Sequence, residues 1–144
     1  IGVSSNEEME FDKRLSGYAE RIHFISHLPG ASLYFHEFSL FLMISREDPF
    51  PIVNIEAGIH GIPIVSFEKT GGTQELLEEH PDLLIPYGNI QMMAERIVSL
   101  VTDEVLLHEK GKSIQTKIKK HYLLNHVADH ITNKMIEIYN QFKN

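Results

Sequence analysis

The unbroken apolar run Leu40-Phe41-Leu42-Met43-Ile44 constrains this chain more than any other feature. It falls far short of the roughly 20 residues a membrane span needs. It therefore predicts a strand covered on both faces, as in a parallel sheet. The segments after it repeat the theme. Pro51 to His60 reads as a helix, with proline near its first turn, where a missing N–H does no harm, and Gly61 at its end. Ile62 to Phe67 predicts another buried strand, Gly71–Gly72 a break, Gln74 to Glu79 a helix and Leu83-Leu84-Ile85 a last short strand. Beyond that the pattern is helical over Ile90 to Val101, Glu104 to His121 and Val127 to Phe142. Upstream, Glu7 to Tyr18 reads as a polar helix, Ile22-His23-Phe24-Ile25 as a short strand and Ser32 to Phe38 as a brief helix.

Short buried strands alternating with helices predict an α/β fold with parallel strands and right-handed crossovers. In the helical C-terminal tail, Ile131, Met135, Ile138 and Phe142 form a stripe expected to pack back on the sheet. A length of 144 residues predicts one domain. The 13 Lys and Arg against 20 Asp and Glu give a formal net charge of −7. That balance argues against general nucleic-acid binding through phosphate neutralisation. With no cysteine there is no disulfide framework, thiolate zinc site or Cys nucleophile, which fits a reducing compartment. No charged segment followed by an apolar one opens the chain, so no signal peptide is read.

Ligands of open α/β sheets bind at the carboxyl ends of the strands. Three segments lie just past such ends: Ser26-His27, then Ser45 to Pro51, then Glu68 to Gly72. In the second, Asp48 and Phe50 each precede a proline and are pushed to extended backbone angles. This stiff loop feeds a helix start, whose unpaired N–H groups and positive dipole end suit a diphosphate. Pro49 and Pro51 lack an N–H, which leaves Phe50, Ile52 and Val53 as donors. On the helix, Ile52, Ile55 and Ile59 share a stripe with Glu56. A carboxylate buried among isoleucines needs a partner. Paired ribose hydroxyls would serve, and so would a backbone amide or a basic side chain at the edge of the stripe.

The residues Ser45-Arg46-Glu47-Asp48-Pro49-Phe50-Pro51-Ile52-Val53-Asn54-Ile55-Glu56-Ala57, followed by Gly61-Ile62-Pro63-Ile64-Val65, Gly71-Gly72 and Glu75, resemble retaining glycosyltransferases of family 4 (group 1). The family's signature is an acid, seven residues and Glu-Ala, then Gly-x-Pro-Val and a Gly-Gly-x-x-Glu segment. Arg21-Ile22-His23-Phe24-Ile25-Ser26 is similar to its Arg-Val-x-Phe-Leu-Gly strand. The resemblance runs in order from about Ile1 to Tyr139.

It implies the GT-B architecture, with the active site between two Rossmann-like domains, and identifies residues 1–144 as a single partial domain, the C-terminal, nucleotide-sugar-binding one. The implied catalytic residues are Asp48, which holds donor-sugar hydroxyls, and Glu56, which holds the ribose. Donor binding is implied at Glu47, Phe50, Pro51, Ile52, Gly71 and Gly72, with backbone near Ser26 and His27 meeting the base. The resemblance further implies that the leaving phosphate is stabilised electrostatically and serves as the base for the acceptor's proton. No metal and no cofactor is implied beyond the nucleotide-diphosphate sugar, which is the donor substrate. The sugar or lipid-linked acceptor would be held by an N-terminal domain outside this chain. Localisation is expected in the cytoplasm, up to the inner face of the membrane. The alternative is a non-catalytic nucleotide-sugar-binding or regulatory module on the same fold.

Three departures stand out. Asp48 occupies the place of the usual Glu, with Glu47 beside it as a substitute, and Pro49-Phe50-Pro51 replaces Gly-Phe-Gly. The family's diphosphate-clamping Arg and Lys align upstream of Ile1-Gly2, which match the end of the second strand. An N-terminally truncated domain, inactive alone, is therefore expected. His126 and His130 share a helix face with Asp129, a ligand-like spacing without a third ligand, and a solvated face is the simpler reading. Lys117, Lys119 and Lys120 suit either a solvated face or an approach to anionic lipid, which allows peripheral membrane association.

Overall fold

The structure, a computed structural model, describes residues 15–23, 25 and 30–142. The chain divides into two compact units, Ile1–Leu33 and Tyr34–Asn144. In the first, the described residues include a 3-10 helix, Ser16–Arg21. Ile22 leaves it in an extended conformation (φ −122°, ψ 118°). Yet Ile22, His23 and Ile25 join no strand, contrary to the sequence expectation, because an extended segment becomes a strand only by bonding to a neighbour. Phe24 and the greater part of the Glu7 to Tyr18 segment lie outside the described residues.

A second 3-10 helix, Ala31–Glu37, stands where a brief helix was expected. Strands and helices then alternate: β1 (Phe41–Met43), α1 (Ile52–Ile59), β2 (Ile64–Phe67), α2 (Thr73–Leu76), a 3-10 turn Pro81–Leu83, and β3 (Leu84–Ile85). Helices α3 (Ile90–Val101), α4 (Glu104–His121) and α5 (Leu124–Phe142) complete the chain. The strands lie in the order β1-β2-β3, all parallel, with Phe41 opposite Ile64 and Ser66 opposite Leu84. Asn89 and Asp103 cap α3 and α4 by accepting from the N–H groups of Met92 and Leu106.

Burial follows position in the sheet. All four residues of the central β2 are buried. In the run Leu40 to Ile44, which holds β1 and was expected to be covered on both faces, Leu42 and Ile44 are exposed. Among the described residues β1 pairs on one side only, so it has an edge's environment. The core gathers Ile64, Val65, Leu76, Leu83, Leu100, Ile114 and Ile118. The stripe of the C-terminal helix does not join it: Ile131, Met135, Ile138 and Phe142 are all exposed. Ile114 and Ile118 of α4 already fill that layer, and α5 departs after Tyr122 and Leu123.

Charged groups tie the outer layer together. Asp82 pairs with Arg96 of α3 and accepts from Lys110 Nζ of α4 at 2.8 Å. His80 lies with Nε2 2.8 Å from Ser113 Oγ and Nδ1 3.5 Å from Lys110 Nζ. Lysine only donates, so Nδ1 is the acceptor and Nε2–H donates to Ser113. Burial, and then the Lys110 charge, hold His80 below its ordinary value of 6.5. The folded chain therefore binds fewer protons at this ring than the unfolded chain does. The His80 contribution to stability is complete above about pH 6.5 and is lost as pH falls through the lower, folded value. Unfolding midpoints at pH 7.5 and 5.5 test this: His80→Gln should lose less stability on acidification than the native chain. An equal loss would show that His80 does not couple folding to protons.

Candidate functional site

The loops that follow β1 and β2 leave neighbouring parallel strands at the same end of the sheet and are laced together backbone to backbone. Asp48 N–H donates to the Thr70 carbonyl at 2.9 Å and Gly72 N–H to the Pro49 carbonyl at 2.8 Å. Asp48 and Gly71 form an isolated parallel bridge. The glycines make this approach feasible. A Cβ at Gly71, whose φ is +122°, would lie 1.7 Å from the Asp48 carbonyl oxygen, and one at Gly72 would lie 2.5 Å from that of Pro49. The nearest neighbour of the Gly-Gly pair is thus the Asp48 loop itself. Pro49, which offers no donor, contributes its carbonyl.

Buried polar side chains complete the lacing. Thr70 Oγ donates to the Phe67 carbonyl at 2.9 Å, and Asn54 Nδ2 of α1 donates to Thr73 Oγ of α2 at 2.8 Å. The amide of Lys69, at φ +60°, donates to Gln74 Oε1 at 2.8 Å. Tyr122, just past α4, donates from its hydroxyl to Glu75 Oε1 at 3.1 Å and stacks on Phe50 with ring centroids 5.5 Å apart. Burial, reinforced by the Glu75 carboxylate, pushes the Tyr122 hydroxyl up to about 12. Lys117 donates to the Glu75 carbonyl at 2.6 Å and to Glu78 Oε1 at 2.8 Å, so this lysine is engaged within the fold.

Glu56 does not occupy the environment expected of it. The helix that carries it turns Asn54, Ala57 and Gly58 inward, while Glu56 is exposed and Ile52 is 74% exposed. The physical reason is Gly58, where a Cβ would lie 2.4 Å from Ile118 Cδ1 and 3.0 Å from Ile114 Cγ2. Helix α4 comes so near that only the small-residue face of α1 fits against it. At about 100° per residue, Glu56 falls nearly opposite Asn54. The carboxylate is therefore hydrated, and its desolvation demands no partner. Ile55 and Ile59 are half-buried at the margin.

The structure thus brings Asp48 (half-buried), Phe50 (half-buried) and Pro51 (buried) together with Gly71 and Gly72. It sets Ile52 and Glu56 one turn apart on the open face of α1, which starts without a side-chain cap. Glu47 is exposed beside Asp48. Ser26 and His27 lie outside the described residues. Sequence reasoning missed Asn54, Thr73 and Tyr122. Asn54 carried a usable signal, a polar residue at the centre of an apolar helix. Tyr122 carried none, being far from Phe50 along the chain.

Comparison with known proteins gives a consistent answer. The family model for glycosyl transferases group 1 matches residues 1–103. An uncharacterized glycosyltransferase of Haemophilus influenzae is 30% identical over 116 residues, 77% of this chain and 33% of that protein. A poly(ribitol-phosphate) alpha-N-acetylglucosaminyltransferase of Staphylococcus aureus is 28% identical over 105 residues, 72% of this chain and 20% of that protein. The chain thus spans a third or less of the length of these relatives. Among solved structures, sucrose-phosphate synthase from Thermosynechococcus elongatus superposes with a TM-score of 0.79 at 18% identity, covering 97% of this chain and 37% of that one. That likeness establishes the fold as a Rossmann-like parallel sheet flanked by helices.

Proposed function

Because this chain belongs to the group 1 glycosyl transferases, we propose that it is the C-terminal, donor-binding domain of a retaining GT-B enzyme. The enzyme moves a sugar from a nucleotide-sugar to a glycan, lipid or polysaccharide acceptor. Asp48 accepts hydrogen bonds from donor-sugar hydroxyls, with Glu47 beside it. The amides around Phe50 and Ile52 meet the sugar and diphosphate, and Glu56 accepts from the paired ribose hydroxyls. No metal or cofactor takes part in this reading, since charge on the departing phosphate is met by amide dipoles and by cations outside this chain. The acceptor is held by an N-terminal domain. The setting is cytoplasmic, with peripheral contact at the membrane. Among the described residues no helix is long and apolar enough to cross one.

A single observation carries the reading. The laced loops beyond β1 and β2 present Asp48, the Phe50 amide and the uncapped start of α1 together, with Glu56 on the open face one turn further on. With Glu56 in water, its assignment to the ribose rests on the family resemblance and on its place one turn beyond the start of α1. Two hydrogen bonds to a charged acceptor hold a diol well, at roughly 1.5–3 kcal/mol each.

Thermal shift with UDP-, GDP- and ADP-sugars tests this. A donor at 100 times its dissociation constant should add about 2.7 kcal/mol of stability. Glu56→Ala should weaken that donor at least about tenfold, a difference of about 1.4 kcal/mol, while leaving unliganded stability unchanged because Glu56 is exposed. Asp48→Ala should weaken the nucleotide-sugar but not the free nucleoside diphosphate. Undiminished donor binding in both variants would remove these residues from the site. Binding without transfer by the intact enzyme would favour the regulatory-module alternative.

A further inference from the structure

Tyr122 touches the candidate site from a distance in sequence and at two points. Its ring stacks on Phe50 with planes 25° apart, and its hydroxyl bonds the Glu75 carboxylate. Gly72 also lies close to the Phe50 ring: a Cβ there would be 2.3 Å from Phe50 Cδ2. The ring thus meets both the end of α4 and the loop after β2.

That clamp acts on the backbone. Phe50 carries the one N–H in Pro49-Phe50-Pro51. Each proline fixes its own φ, and Pro51 also pushes the ψ of Phe50 to extended values. Two soft torsions aim the Phe50 N–H: the ψ of Pro49, whose carbonyl is held by the Gly72 N–H at 2.8 Å, and the φ of Phe50. A ring that cannot move holds the second. Lys117, one helical turn before the end of α4, bonds the Glu75 carbonyl, so α4 grips the start of α2 as well.

We propose that Tyr122 is the positioning residue of the donor site, holding the Phe50 N–H on the diphosphate of the bound nucleotide through the stacked Phe50 ring. This rests on the donor-binding reading above and adds to it a residue that itself touches no substrate. The hydroxyl's bond to Glu75 anchors the tyrosine, and the flat ring does the positioning. A phenylalanine in its place should therefore serve nearly as well, whereas a leucine should not.

Calorimetry with UDP, GDP and ADP, alongside uridine, guanosine and adenosine, tests the proposal on the intact enzyme in its native form and as Tyr122→Phe and Tyr122→Leu. The native enzyme selects the nucleotide, and its failure to bind any of the six would overturn the donor-binding reading itself. With the preferred diphosphate, Tyr122→Leu should bind about tenfold more weakly and Tyr122→Phe within about twofold of native. The matching nucleoside, which lacks the phosphates, should bind all three alike. In the intact enzyme the same change should appear in the donor KM, with kcat at saturating donor preserved. Native binding paired with an unchanged Leu variant, or with nucleoside and diphosphate weakened equally, overturns the role of Tyr122. If Tyr122→Leu does not fold, Phe50→Leu reads the same contact from the other ring and should give the same selective loss; an unchanged affinity there overturns the proposal too.

Discussion

Gly71→Ala is expected to destabilise the chain by about 3 kcal/mol, roughly 10 °C in Tm for a domain of this size, and to weaken nucleotide-sugar binding at least about tenfold. The residue stands at φ +122°, and a Cβ there would be 1.7 Å from the Asp48 carbonyl oxygen. Backbone cannot swing aside as a side chain can. The loops beyond β1 and β2 would have to part, breaking the Asp48 to Thr70 and Gly72 to Pro49 hydrogen bonds that hold the site together. Gly88→Ala separates the two causes. Its φ of +79° imposes a left-handed backbone penalty, smaller than that at +122° because it lies near the αL region, and nothing lies within 4 Å of the added methyl. That control should lose only about 1 kcal/mol, the usual cost of a left-handed alanine, and should leave donor binding unchanged. Equal losses in both variants would mean that the crossing of the loops contributes nothing beyond torsional strain.

Gly111→Ala should destabilise by about 3 kcal/mol, against the sign of helix propensity. In the middle of an exposed helix the same substitution normally gains about 1 kcal/mol. Here the added Cβ would sit 1.9 Å from the Gly61 carbonyl oxygen and 3.2 Å from Pro63 Cδ, so α4 would be levered off the end of α1. Overfilling a packed interface commonly costs about 1–3 kcal/mol, with backbone-limited cases at the top of the range. Gly58→Ala should cost less. Its nearest obstacle is the tip of Ile118, a flexible end that can turn away. Urea unfolding of the native chain and both variants gives the comparison directly. A Gly111→Ala variant as stable as the native chain would show that the helices can separate without loss.

Much of this architecture was legible in residue order. The apolar run Ile62 to Phe67 marked a strand because an extended chain buried on both faces has no use for alternation; the run Leu40 to Ile44 marked a strand too, although its one-sided pairing leaves Leu42 and Ile44 exposed. Pro51 and Gly61 marked the ends of a helix, because a missing N–H is harmless in the first turn and glycine suits the position just past the last. The faces were harder to read. Ile52, Ile55 and Ile59 looked like the buried stripe of α1, yet the inward side is Asn54, Ala57 and Gly58. Hydrophobic size is a guide to burial only where the neighbour stands at side-chain distance; against α4 the approach is so close that small residues win. The C-terminal stripe was misread for a related reason: whether an apolar face is covered depends on which element arrives first, and α4 does.

The candidate site divides along the same line. Residue order by itself determined the α/β alternation, the proline-bounded loop at Asp48 to Pro51, the Gly-Gly break and the acids at Glu47, Asp48 and Glu56, since each of these follows from local backbone chemistry or from spacing along the chain. Only the folded structure decided that Glu56 faces water, that Gly71 and Gly72 serve the neighbouring loop, and that Tyr122 closes over Phe50. Those are outcomes of distance between segments remote in sequence, and such distances are set by how closely the backbones of two packed elements can approach.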